Sequence, residues 1–177
     1  MDVGAGDGGY VLYRARTEPG TFAIALDASP ESLASGAWRA KRARLTNATF
    51  LVDGVERVPC ELWCLADEVT VHFPWGSLLR GVLDASGAIL GPIAQLMKAG
   101  AELRVLLSST DRDGFGDLTP ERLTSRYTAY SEHGLHLARA EWASPEVVAE
   151  SRSAWAKRLG VPRARRAVVA RYRRLAT

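Results

Sequence analysis

The chain has 177 residues, of which 47% are apolar and 24% charged. This fits one domain with a sizeable core, residues 1–177. No apolar run approaches the roughly 18–20 residues that cross a bilayer, and the N-terminus lacks the basic and apolar stretches of a secretory signal. The net charge is only +3, yet residues 38–50 carry Arg39, Lys41, Arg42 and Arg44 with no acid, and residues 151–177 carry nine basic side chains with no acid. Two such segments on an acidic body argue for a polyanionic partner over a plain solvated face.

In chain order, strand-like runs at residues 1–3, 22–27, 49–53, 68–73, 102–107, 135–142 and 167–173 alternate with helical stretches. The helices are expected at 10–16, 30–44, 76–98 with a break near 86–87, 120–132 and 145–159. Three of them open on Pro30, Pro120 and Pro145, where the missing N–H costs nothing. The alternation predicts an α/β fold with a seven-stranded, mostly parallel sheet and an antiparallel last strand. A central strand wants four to eight apolar residues, but only Met-Asp-Val precedes the first glycines. Strand one is therefore stunted, or residues upstream of it are missing. The loops of interest are 108–119, rich in Gly and Asp, and 160–166.

Cys60 and Cys64 exclude a disulfide scaffold and suit a reducing cytoplasm. With His72 they fall short of the four ligands of a structural zinc, so no metal is expected and both thiols are read as small buried groups. Trp38, Trp63 and Trp142 are read as core.

The loop Asp2-Val-Gly4-Ala-Gly6-Asp7-Gly8-Gly9 follows the first strand and opens a helix. Its glycines permit a tight turn and close approach of a ligand. Asp27, at the end of strand two, stands where a carboxylate binds the two hydroxyls of an adenosine ribose. Gly4, Gly6 and Gly9 also satisfy G-x-G-x-x-G, so a dinucleotide stays open as an alternative. Asp2 and Asp7 disfavour a pyrophosphate and favour a cationic ligand such as S-adenosyl-L-methionine. After strand three, the loop from Asp53 to Pro59 would pass the adenine, with Val55 on its face and Glu56 near its edge. A helix-capping turn is the competing reading there.

Strand four closes on Phe73-Pro74-Trp75-Gly76. Enzymes that methylate an exocyclic amine commonly place a polar acceptor where Phe73 stands, which disfavours that chemistry.

The run Pro74-Trp-Gly-Ser-Leu-Leu-Arg-Gly-Val-Leu83 resembles the strand-four signature of the kanamycin–apramycin resistance methyltransferases, 16S rRNA enzymes acting on N1 of adenine 1408. Asp2-Val-Gly-x-Gly-Asp-Gly8, Ala25-Leu-Asp-Ala28, Glu56-Arg-x-Pro59 and Ser153-x-Trp155-x-x-Arg-Leu159 are similar in order and spacing. The resemblance implies a Rossmann-like class I S-adenosylmethionine-dependent methyltransferase fold. It implies that Asp2, Gly4, Gly6, Asp27, Val55, Glu56 and Phe73 form the cofactor site. Trp75 and Trp155 would sandwich a flipped adenine, with Ser153 assisting. Arg39, Lys41, Arg42 and Arg44, together with Arg158, Arg163, Arg165 and Arg166, would hold rRNA in the 30S subunit. The expectation is a cytoplasmic monomer with no membrane or DNA partner, conferring aminoglycoside resistance. Members of that family carry an N-terminal extension ahead of the glycine loop that this sequence lacks.

The chemistry needs no acid–base pair. N1 of adenine carries a lone pair and no proton, so catalysis reduces to orienting it on the methyl group. An aromatic face also stabilises the cationic product.

Overall fold

The structure, a computed structural model, describes residues 1–108, 113–116 and 118–175. Seven strands form one sheet: β1 (Asp2–Val3), β2 (Ala23–Asp27), β3 (Ala48–Val52), β4 (Ala66–His72), β5 (Met97–Leu107), β6 (Leu135–Trp142) and β7 (Val168–Arg174). Their order is β3-β2-β1-β4-β5-β7-β6. β1 pairs in parallel with β2 and β4, as do β2 with β3 and β4 with β5, whereas β7 runs antiparallel between β5 and β6. The winding reverses at β1, so the carboxyl ends of β1 and β4 frame the crevice where ligands bind in open α/β sheets.

The helices are α1 (Gly9–Thr17), α2 (Pro30–Arg42), α3 (Gly76–Leu83), α4 (Gly87–Leu96), α5 (Pro120–Thr124), α6 (Tyr127–Ser131), α7 (Pro145–Glu150) and α8 (Ala154–Leu159). Side-chain caps start several of them: Ser29, Thr119, Ser144 and Ser153 each accept from the backbone N–H three residues on. The main core lies between the sheet and α3–α4, and a second cluster lies between β2 and the α1–α2 pair. A third is small: Phe73, Leu106, Val148, Ala156, Val161, Ala167 and Val169 pack together.

Several boundaries differ from the sequence reading. β1 has two residues because Gly4 turns out of the strand at φ 71°. The long helix over 76–98 breaks at 84–86, and Met97 belongs to β5, where it is buried and pairs with Ala66. The helix over 120–132 is two short helices. That over 145–159 is interrupted at Arg152, whose φ of 53° no α-helix accommodates. Cys60 and Cys64 are exposed rather than buried, because they sit on the surface loop between β3 and β4. Trp38, Trp63 and Trp142 are likewise exposed and not core. Of the 108–119 loop, residues 109–112 and 117 lie outside the described residues.

Candidate active site

The glycine loop is stitched to β2. The N–H groups of Gly4 and Ala5 donate to the Leu26 carbonyl at 2.8 and 3.1 Å. Gly4, at φ 71°, is a position where a side chain would be strained, and a Cβ there would also push on the Leu78 side chain at 2.6 Å; Gly6, at φ 56°, faces open space instead. The Gly6 N–H donates to Asp27 Oδ2 at 2.7 Å, and the Ser29 N–H donates to Oδ1 at 2.9 Å. Two backbone donors thus aim the Asp27 carboxylate and leave about half of its lone pairs for a ligand. From the neighbouring strand, the Asp53 N–H donates to the Asp27 carbonyl at 3.1 Å. Val55 is buried behind this loop and Glu56 is exposed on it.

These elements surround a cavity of about 300 Å³. Asp2, Gly4, Gly6, Asp27, Val55, Glu56, Phe73, Trp75, Ser153 and Trp155, drawn from five separate stretches of chain, all line it. The open floor at Gly6 and the fixed Asp27 carboxylate fit the backbone approach and ribose of an adenosyl group.

Asp2 lies beneath the cavity, 3% exposed. The Thr70 hydroxyl donates to its Oδ1 at 2.6 Å. Burial pushes its carboxyl up to about 7, against the pull of Thr70, the N-terminus and Arg104. His72 Nδ1 is 3.7 Å from Asp2 Oδ1. Burial, with Arg104 and Arg14 adding to it, holds that imidazole down at about 3, so the pair is not an ion pair at neutral pH. Around them, Tyr10 packs edge-on against His72 with centroids 4.5 Å apart, and its hydroxyl accepts from both Arg14 and Arg104. Sequence reading missed this buried network. Its members come from β1, α1, β4 and β5, and no local pattern connects them.

Asp7 is not a free acid. Arg39 Nη2 donates to Asp7 Oδ2 at 2.9 Å and to the Asp7 carbonyl at 2.6 Å. With Asp7 paired and Asp2 near half-protonation, the glycine loop supplies less negative charge than its sequence suggests. The acidity facing the cavity comes more from Asp27 and Glu56.

Across the mouth, the Trp75 and Trp155 rings lie 6.3 Å apart at 37°. Trp75 is 69% exposed and Trp155 37%, whereas the nearby Phe73 is buried. Phe73 explains how two remote motifs meet. Its backbone turns at φ 49°, its N–H donates to the Leu106 carbonyl at 2.7 Å, and its ring packs with Ala156, the residue after Trp155. Ser153 caps α8, accepting from the Ala156 N–H at 3.1 Å, and so orients the helix that carries Trp155.

The proposed RNA-contacting cations of the two basic segments lie outside the cavity lining. Lys41, Arg42, Arg44, Arg158, Arg163, Arg165 and Arg166 are exposed, whereas Arg39 is half-buried in its pair with Asp7. Arg152, which the sequence reading did not single out as a site residue, lines the cavity and sits over the Tyr13 ring at 4.5 Å.

A glycine loop after β1, a carboxylate ending β2, an acidic loop after β3 and an antiparallel β7 together define the class I S-adenosylmethionine-dependent methyltransferases. The sequence matches the family model described as NpmA, 16S rRNA (adenine(1408)-N(1))-methyltransferase, over residues 1–173, and the chain belongs to this family. A 16S rRNA (adenine(1408)-N(1))-methyltransferase of Streptoalloteichus tenebrarius is 32% identical, over 96% of this chain and 84% of its own. The crystal structure of the 16S rRNA methyltransferase KamB superposes with a TM-score of 0.84 at 31% identity, covering 99% of this chain and 86% of its own. A mutant 16S rRNA (adenine(1408)-N(1))-methyltransferase from Catenulisporales acidiphilia, solved with cosubstrate SAM, shares the fold at a TM-score of 0.87 and 24% identity, over 99% and 84% of the two chains.

Proposed function

We propose that this chain methylates N1 of adenine 1408 in 16S rRNA within the 30S subunit, and thereby confers aminoglycoside resistance. The observation that carries this reading is the pair Trp75 and Trp155, exposed and 6.3 Å apart at the mouth of a cavity suited to an adenosyl group.

When bound, S-adenosylmethionine supplies an electrophilic methyl group on a sulfonium. Asp27 holds the ribose hydroxyls, Val55 packs on the cofactor's adenine, and Glu56 meets its edge. Asp2, Gly4 and Gly6 receive the methionine end, and Phe73 closes the floor. Trp75 and Trp155 open from their mutual contact to grip the extruded base, since a nucleobase inside a helix cannot present N1 for reaction. Ser153 fixes the Trp155 helix. His72, neutral and buried, moves no proton, and none needs moving. Lys41, Arg42, Arg44, Arg158, Arg163, Arg165 and Arg166 dock the enzyme on rRNA phosphates; Arg39 contributes mainly through its hold on the glycine loop.

Primer extension on 16S rRNA from cells expressing the protein tests this. A new stop next to adenine 1408, weakened in Trp75→Ala, supports the reading. Modification confined to another nucleotide, or none from a protein that binds the cofactor, overturns it.

A further inference from the structure

Trp38 and Trp142 do not line the cavity, and both are exposed, at 59% and 36%. Each carries an arginine of one basic segment over its ring. Arg42 Cζ is 5.3 Å from the Trp38 centroid, and Arg166 Cζ is 3.6 Å from the Trp142 centroid. Trp38 and Arg42 are four residues apart toward the end of α2, which puts them on one helix face. Trp142 ends the edge strand β6. There the Ala143 N–H donates to the Ala167 carbonyl at 2.8 Å, and the Ser108 hydroxyl donates to the Arg166 carbonyl at 3.1 Å. The Arg166 main chain is thus pinned beside its own indole.

A guanidinium laid on an indole keeps its N–H edge free for phosphate oxygens and its outer face free for a base. It also gives up less side-chain freedom on binding than an unsupported arginine does. We propose that Trp38 and Trp142 are positioning residues for RNA docking: each holds an arginine, Arg42 or Arg166, as a fixed phosphate contact, one per basic segment. This rests on the reading that the basic segments bind 16S rRNA. Docking then depends on two set points and not on diffuse charge alone.

The test is 30S affinity across a salt series for Trp38→Ala, Trp142→Ala, their Phe counterparts, Arg42→Ala, Arg166→Ala and the two Trp/Arg double variants. Calorimetric affinity for S-adenosylmethionine serves as the folding check. Each Trp→Ala change should weaken 30S binding about 3- to 10-fold. Although it removes no charge, it should also flatten the salt dependence by up to about 0.7–0.9 in log–log slope, one phosphate's worth. Phe should restore most of both, and each double variant should bind no worse than its Arg→Ala single. If Arg42→Ala and Arg166→Ala leave affinity and slope unchanged, the basic-segment reading itself fails. If those two weaken binding while the Trp→Ala variants do not, only the positioning proposal fails. It also fails if the Trp and Arg losses add independently with the slope intact, because the indoles would then contact ribosomal protein or RNA directly.

Discussion

Arg39 reaches from α2 to hold Asp7 in the glycine loop, Nη2 to Oδ2 at 2.9 Å, and binds the Asp7 carbonyl as well. The four cations of the first basic segment are therefore not equivalent. Arg39→Ala should lower S-adenosylmethionine affinity by roughly 2- to 5-fold, the worth of a half-exposed ion pair. Lys41→Ala and Arg44→Ala should leave it unchanged while weakening 30S binding. Calorimetry on the free protein separates the two groups.

Asp27 holds the glycine loop, since its carboxylate accepts from Gly6 and Ser29, and in the proposed function it binds the ligand as well. Asp27→Ala removes charge-assisted bonds worth about 1.5–3 kcal/mol, so cofactor affinity should fall by roughly 10- to 150-fold. The two orphaned N–H groups should also cost about 1–3 kcal/mol of stability, seen in urea melts. Wild-type stability in Asp27→Ala would mean that the loop does not depend on this carboxylate.

Asp2 sets a pH dependence. Its carboxyl is raised from 3.8 to about 7, so the folded state binds a proton that the unfolded chain has lost between those values. Stability from this group is therefore full below about pH 4 and declines as pH rises toward 7. Cofactor affinity moves the opposite way, because a methionine ammonium needs the ionised form. It should strengthen about 10-fold from pH 6 to pH 8 as the ionised fraction grows. Asp2→Asn should bind more weakly and remove the affinity trend. His72, held at about 3 in the fold against an ordinary 6.5, contributes stability of the opposite sign that grows as pH rises toward 6.5, so stability of Asp2→Asn should rise with pH over that range where the wild type stays nearly level.

Ser153 acts through α8. Ser153→Ala should lose about 1 kcal/mol of capping and reduce methylation by loosening Trp155, while Ser153→Thr should restore both. Single-turnover rates and thermal melts on the three proteins decide the point. A rate loss that Thr leaves uncorrected would assign Ser153 a direct contact instead.

The sequence made most of the architecture legible, because strand and helix periods alternate cleanly from β2 to β7. Glycine spacing and a strand-end carboxylate mark local geometry, so the glycine loop and Asp27 were legible from the residues, whereas Phe73, Trp75, Ser153 and Trp155 were named from the family resemblance. Exposure was harder to read. Trp38 and Trp142 look like core residues by composition, and only the fold reveals that each lies beneath an arginine. The Arg39–Asp7 pair was invisible for a related reason: two charges 32 positions apart meet only because Gly36 lets α2 come close to the loop, where a Cβ would stand 2.4 Å from the Asp7 carbonyl oxygen. The break at Arg152 is marked in sequence only by the capping Ser153 that follows it, too weak a signal to separate from an ordinary helix interior.

The central claim is that Trp75 and Trp155, 6.3 Å apart, hold the target base. Single-turnover methylation of 30S subunits by Trp75→Ala and Trp155→Ala, with 30S binding measured in parallel, tests it most directly. Stacking is worth about 1–3 kcal/mol per base, so each variant should react roughly 5- to 150-fold more slowly while docking nearly unchanged. Phe at either position should recover part of the rate. Wild-type rates in both alanine variants would contradict the account.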